Sequence, residues 1–414
     1  MNERIETVIV GGGQAGLAMS HCLSQRGREH IVLERARVAE RWRTQRWDSL
    51  MFQFPNWSIE LPGRSYAGSN PDGFSHKNEI LTFIEDYAVW IKAPLRTEVE
   101  VLSLRPAPHP GRYLVSTSAA VFEARNVVIA TGPYQRPRIP SVAAGLPPDV
   151  FQVHAADYRN PYELPSGGVL VVGSGASGCQ IAEELLTAGR QVFFAIGRHR
   201  RVPRRYRGHD VFWWRRALGY LDQKAEGTPG ERREPPPLVT GVGGGHDVDI
   251  RGYATDGMRL LGHVREIRDG RVALVGDLEE SLAAGDRTYD EFMSAVDDYL
   301  RGRDIDPSGA RPSTLARTMV KSAERIDIRE SDIRAVVWAT GYALDFRWIE
   351  LPIFDVRGEP MQRRGATSAP GIYFLGLAWM HKVKSSFLYG VGEDAEHLAE
   401  RICEVPTAVQ NVSL

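Results

Sequence analysis

Residues 5–34 read IETVIVGGGQAGLAMSHCLSQRGREHIVLE, and the order of events in this stretch decides the fold. Ile5–Val10 is rich in β-branched residues and predicts a strand. Gly11–Gly16 predicts a tight turn, Leu17–Gln25 an apolar-periodic helix stopped by Gly27, and Ile31–Leu33 a second strand closed by Glu34. Strand, glycine turn, helix and strand within about 30 residues make the βαβ unit of a dinucleotide fold. Gly11, Gly13 and Gly16 spell G-x-G-x-x-G. The first glycine permits the turn, the second lets the backbone approach a pyrophosphate, and the third lets helix and strand pack closely. The helix N-terminus then presents free N–H groups and the positive end of its dipole to the phosphates. Glu34 stands where a carboxylate accepts hydrogen bonds from ribose hydroxyls, so the first site is expected to hold FAD, with Arg35 and Trp42 as further contacts. A glycine-rich loop without a ligand is the competing reading, and the complete set of strand, helix, second strand and acid weighs against it.

The same events recur later. Gly168–Val172 predicts a strand, Gly173–Gly178 a glycine turn, Ile181–Ala188 a helix stopped by Gly189, and Gln191–Ile196 the next strand. Gly173, Gly175 and Gly178 form the second fingerprint, with Ser177 inside it. Its second strand ends not in an acid but in Ile196-Gly197-Arg198. An acid there would repel the 2′-phosphate of NADP, whereas an arginine pairs with it. Arg198 is therefore the candidate for that contact and NADPH the expected ligand. The rest of the basic run, through Arg201, Arg204, Arg205 and Arg207, is expected to be solvated loop. Two further strands end in one tripeptide, Ala130-Thr131-Gly132 and Ala339-Thr340-Gly341, so Thr131, Gly132, Thr340 and Gly341 join the candidate cofactor contacts.

Bulk properties narrow the chemistry. The 414 residues suit two domains, and 43% hydrophobic with 25% charged residues is the balance of a folded globular chain. A net charge of −1 gives no electrostatic ground for nucleic acid or anionic lipid. No apolar run approaches the roughly 20 residues of a membrane helix, and the polar start reads as no signal peptide. Cys22, Cys179 and Cys403 are sparse and contain no close pair, which suits a reduced cytoplasmic protein and argues against reduction of a disulfide beside the flavin. The histidines show no metal-ligand spacing.

Two unlike dinucleotide sites imply hydride passing from nicotinamide to flavin. What the flavin then reduces is suggested by a resemblance. Val150–Pro161 (VFQVHAADYRNP) precedes the second fingerprint, and its His154 and Tyr158 resemble the signature region of flavin-containing monooxygenases, although Pro148 and Val150 stand where that pattern has phenylalanine and glycine. Ala339-Thr340-Gly341-Tyr342 and the stretch Arg46–Ser58 (RWDSLMFQFPNWS) also resemble this group. The whole order is similar to bacterial flavin-containing monooxygenases and plant indole-3-pyruvate monooxygenases. The resemblance implies that NADPH reduces FAD, that the reduced flavin takes up O2 as a C4a-hydroperoxide, and that an amine, thioether or carbonyl accepts one oxygen atom. Asn56, in an Asn-x-Ser resembling that of the family, becomes the candidate catalytic residue near the flavin; an ordinary Pro-Asn turn stays open. Lys384 is a candidate for stabilising negative charge on the reduced ring, with an exposed loop lysine as the alternative. His154 is expected to orient the linker between domains. Trp338, Trp348, Trp379, Phe387 and Tyr389 are candidates for a substrate wall or for core.

The expected architecture is α/β with two Rossmann-like domains, the NADPH domain (162–331) inserted in an FAD domain made of 1–161 and 332–414. Gln223–Gly245 reads as a mobile loop, Leu278–Gly302 as an amphipathic helical insert that suits an interface in a homo-oligomer, and Arg303–Pro312 as a connection. Readings left open are an NADPH oxidase or flavin reductase releasing H2O2, a Baeyer–Villiger enzyme, and a redox-sensing regulatory flavoprotein.

Overall fold

The computed structural model describes residues 2–225, 235–303 and 319–404. Of the expected loop Gln223–Gly245, residues 226–234 lie outside the described residues, while Pro237–Leu238 pairs with Arg200–Arg201 and Leu238 is buried; of Arg303–Pro312, residues 304–312 lie outside them. In chain order the strands of the two main sheets are β1 (Glu3–Val10), β2 (His30–Leu33), β3 (Leu95–Arg96), β4 (Val101–Pro106), β5 (Tyr113–Thr117), β6 (Val121–Ile129), β7 (Phe151–His154), β8 (Gly168–Val172), β9 (Val192–Ala195), β10 (Arg259–Leu261), β11 (Ile333–Trp338), β12 (Gln362–Arg363), β13 (Ala366–Thr367) and β14 (Ile372–Phe374). The helices that matter here are α1 (Gln14–Gln25), α2 (Ala176–Thr187), α3 (Val211–Ala217), α4 (Leu278–Leu300) and α5 (Val391–Glu404).

The first sheet runs β12-β13-β14-β6-β1-β2-β3, with β4 and β5 added as a hairpin on β6. Its centre is parallel: β1 pairs with β2 and β6, and β14 with β6. The second sheet runs β7-β11-β8-β9-β10 and is parallel throughout. Both fingerprint strands are apolar on both faces because helices and loops cover both sides. In β1, Ile9 points into the core containing Leu17, Met19 and Leu398, while Val8 and Val10 point into the opposite core with Ile129 and Phe374. β8 repeats this, with Val169 and Val171 on one side and Leu170 and Val172 on the other.

The α/β class and the two dinucleotide units agree with the sequence reading, but the domain boundaries move. β7 lies before residue 162 and β11 after residue 331, yet both belong to the second sheet, with β11 an inner strand between β7 and β8. Parallel pairing with β8 satisfies the backbone of Ile333–Trp338 and buries Val336, Val337 and Trp338, which no local signal assigns to one sheet rather than the other. Trp338 is therefore core: it is fully buried and its Nε1 donates to Gln152 Oε1 at 3.1 Å. α4 forms as expected. No described helix is long and apolar enough to cross a membrane.

Candidate cofactor and active site

The two glycine turns are wired almost identically. Gly11 N donates to Leu33 O at 2.8 Å, and Gly173 N to Ala195 O at 3.0 Å. Each first glycine has a positive φ, 115° and 107°, which disfavours any side chain. A Cβ on Gly11 would lie 2.6 Å from Ala130 O, and one on Gly173 would lie 2.6 Å from Ala339 O. The two Ala-Thr-Gly tripeptides thus share a purpose: the alanine carbonyl presses on the fingerprint turn. The third glycines touch the first: a Cβ on Gly16 would lie 1.9 Å from Gly11 O, and one on Gly178 would lie 1.8 Å from Gly173 O. By contrast, Gly13 and Gly175 have nothing within 4 Å on the side where a Cβ would project. Those open sides adjoin the N-termini of α1 and α2, which have neither a side-chain cap nor an acid in the first turn. Uncapped N–H groups beside an open backbone fit a pyrophosphate at each turn.

The sites diverge where the second strands end. Glu34 Oε2 accepts from Gly12 N at 2.7 Å and Oε1 from Ala36 N at 3.0 Å, so the carboxylate is aimed across the first turn with lone pairs left for ribose hydroxyls. Arg35 is exposed and Trp42 half-buried against Phe52. Arg46 lies over the rings of Trp42 and Tyr134, at 5.3 and 5.1 Å. Burial, with Arg35 and Arg46 adding repulsion, brings the nearby Arg41 down to about 10. In the second domain, Ser174 Oγ accepts from Gly197 N at 2.9 Å and donates to Gly197 O at 3.1 Å, and the next residue, Arg198, is exposed. Ser177 is partly buried in the first turn of α2.

The expectation of solvated arginines is corrected for two of them, while Arg205 is exposed. Arg201 is buried and pairs with Asp286 at 2.6 Å and Asp249 at 3.2 Å. Arg204 is buried and pairs with Asp210 at 2.8 Å. Each charge is retained inside the domain because a carboxylate meets it.

Between the domains, His154 Nε2 donates to Gly341 O at 3.0 Å while its Nδ1 accepts from Ala156 N at 3.1 Å. Burial holds its pKa below the usual histidine range. Both ring nitrogens are used on backbone, which makes His154 a positioning residue of the linker. Tyr158 is buried and its hydroxyl donates to Glu184 Oε2 at 2.7 Å, fastening the same linker to α2. Thr131 and Gly132 accept from Gln135 Nε2, both at 2.9 Å. Thr340 Oγ1 donates to Arg138 O.

Asn56 opens a short 3-10 turn, Asn56–Ser58, and is only 4% exposed. Its Nδ2 donates to Asn70 O at 3.0 Å, and its Oδ1 is buried with no partner among the described residues. Lys384 is corrected. It is neither exposed nor free for a flavin: it is buried and paired with Glu393 and, at 3.0 Å, with Asp222. Burial acts to lower its pKa, but those carboxylates outweigh it and the net shift is upward. The segment itself does reach the first fingerprint, since Gln14 Nε2 donates to Ser386 O at 2.7 Å.

Phe387 and Tyr389 join a wall that the sequence shows only in part. Phe54 stacks on Phe212 of α3 at 4.4 Å and meets Phe387 at 5.1 Å; Trp57 meets Tyr389 at 5.7 Å. Phe212 was missed because its run, VFWWRR, reads as an amphipathic helix with no local link to residues 54 or 387. Cys22 and Cys179 are buried on α1 and α2, and burial pushes the Cys22 thiol up to about 12.

Two uncapped glycine turns, one crossed by an acid and one followed at its next strand end by an exposed arginine, fit an oxidoreductase with two unlike dinucleotide sites. Residues 8–207 match the family model described as pyridine nucleotide-disulphide oxidoreductase. The chain is 32% identical over 407 residues to an uncharacterized CzcO-like oxidoreductase of Geobacillus kaustophilus, covering 97% of this chain and 99% of that one. It is 30% identical over 182 residues to the probable indole-3-pyruvate monooxygenase YUCCA1 of Arabidopsis thaliana, covering 43% of this chain and 44% of that one. Its fold matches the flavin-containing monooxygenase of Stenotrophomonas maltophilia with a TM-score of 0.66 at 18% identity, covering 97% and 98% of the two chains. The chain belongs to the family of CzcO-like oxidoreductases.

Proposed function

We propose that the protein is an NADPH- and O2-dependent monooxygenase of a small organic substrate: an amine, a thioether or a carbonyl. When bound, NADPH supplies hydride and FAD carries the electrons to oxygen. The observation that carries this reading is Asn56, a buried carboxamide in the Arg46–Ser58 stretch with Nδ2 committed to Asn70 and Oδ1 without a partner among the described residues. A buried acceptor without a donor costs about 1–3 kcal/mol. That cost is offset if a donor arrives with the ligands, and Oδ1 then holds a proton near the reacting oxygen. The rings of Phe54, Phe212 and Phe387 keep water from the same region, as oxygen transfer to substrate rather than to water requires. The buried Cys22 and Cys179 thiols are poor nucleophiles, which supports oxygen over a disulfide as electron acceptor.

Stoichiometry tests this. With the FAD-loaded protein and a panel of amines, thioethers and ketones, a true substrate lowers H2O2 released per NADPH consumed and takes up label from 18O2. H2O2 matching NADPH across the whole panel makes the protein an oxidase. Negligible NADPH consumption with both cofactors bound makes it a regulatory flavoprotein. Asn56→Ala is expected to raise the H2O2 fraction while flavin reduction stays within about twofold of wild type.

A further inference from the structure

The second nucleotide site carries a feature outside its glycine fingerprint. β9 and β10 are adjacent parallel strands with Ala195 opposite Leu261, and Ile196 N donates to Leu261 O at 2.9 Å. Two residues beyond that register, Gly197 and His263 come together: a Cβ on Gly197 would lie 2.7 Å from His263 Nε2. The residue before the histidine is also a forced glycine. A Cβ on Gly262 would lie 2.1 Å from Val275 O and 2.7 Å from Asp277 Oδ1. Two glycines thus clear the space that lets the imidazole lie against the backbone just ahead of Arg198.

The ring is held rather than loose. Asp277 Oδ1 accepts from His263 N at 3.0 Å, Asp277 Oδ2 pairs with His263 Nδ1, and Val275 N donates to His263 O at 2.8 Å. Both carboxylate oxygens are turned to the histidine. Nε2 has no hydrogen bond among the described residues, and the side chain is about half exposed at 46%. Ser174 ties Gly197 to the fingerprint turn through its hydroxyl, so turn, arginine and histidine form one rim.

We infer that His263, positioned by Asp277, is a second contact for the 2′-phosphate of NADPH beside Arg198. This rests on the reading of the second fingerprint as an NADPH site. A carboxylate on Nδ1 orients the imidazole and fixes which edge it presents, and with both ring nitrogens protonated in the complex Nε2–H donates to a phosphate oxygen. NADH lacks that phosphate and gains nothing from the contact.

The test is anaerobic rapid mixing of the FAD-loaded protein with NADPH or NADH, following flavin bleaching against nucleotide concentration. Wild type is expected to favour NADPH. His263→Ala and His263→Asn are each expected to weaken NADPH binding about tenfold while leaving NADH binding and flavin content unchanged. Asp277→Asn, which acts through the ring, is expected to give a smaller loss in the same direction, and His263→Arg to restore the preference. An unchanged NADPH-to-NADH ratio in both His263→Ala and His263→Asn, with Arg198→Ala still lowering it, overturns the inference alone. A wild type that does not discriminate overturns the NADPH reading itself, and this inference with it.

Discussion

The turn at Gly11–Gly16 and the turn at Gly173–Gly178 have the same hydrogen bonds, the same alanine carbonyl pressing on the first glycine, and the same forced contact between third and first glycines. They differ about twenty residues later, where one strand ends at a carboxylate and the other at a glycine and an arginine. The backbone turn is a general pyrophosphate device, and the identity of the nucleotide is written at the end of the next strand. On the proposed reading, divergent endings on a duplicated architecture give one chain two sites for different nucleotides.

The sharpest way to break this comparison is to load both turns with the same insult. Gly16→Ala and Gly178→Ala each put a Cβ inside 2 Å of a carbonyl oxygen, at 1.9 and 1.8 Å. Each is expected to cost about 3 kcal/mol or more. The first should purify largely without FAD. The second should stay yellow but fail to be reduced by NADPH, as absorbance at the flavin band reports. Equal flavin loss in both variants means the turns are not functionally separate.

Glu34→Ala removes charge-assisted bonds worth about 1.5–3 kcal/mol each and should weaken FAD binding about a hundredfold, measured as flavin retained through gel filtration. Arg198→Ala should weaken NADPH binding by about ten- to thirtyfold and leave NADH alone, which separates the two strand endings by ligand. The smallest expected effect concerns the linker. His154 is held neutral by burial, so its folded pKa lies below the unfolded value of 6.5. Its contribution is therefore complete above pH 6.5 and is lost as pH falls through the folded value. His30 and His199 are held down in the same way. Melting temperature should fall from pH 7.5 to 5.5 in the wild type, and His154→Gln should flatten part of that slope.

Both fingerprints, the helices behind them and Glu34 were legible because each is a local pattern of spacing. The repeated Ala-Thr-Gly was visible too, but its purpose was not: contact with a glycine about 120 residues earlier in the first domain, and about 165 in the second, leaves no local trace. The same holds for β7 and β11, whose sheet is chosen by pairing across long separations. Lys384 was misread because its partners, Asp222 and Glu393, come from two other segments. Arg201 and Arg204 look like solvated charge until Asp286 and Asp210 are brought to them. Sequence discloses chemistry that a turn or a strand end carries by itself, and hides charges whose meaning depends on a distant counter-ion.

The peptide crosses between the two halves twice, and the crossings are laced together. Arg136–Pro137 pairs antiparallel with Tyr342–Ala343, Arg138 N donates to Gly341 O, and His154 Nε2 reaches the same carbonyl. Two independent straps would let the halves twist and slide. A sewn pair behaves as a door hinge with one pin, which resists shear and leaves a single arc of travel. Any motion between the halves would pivot about these few bonds.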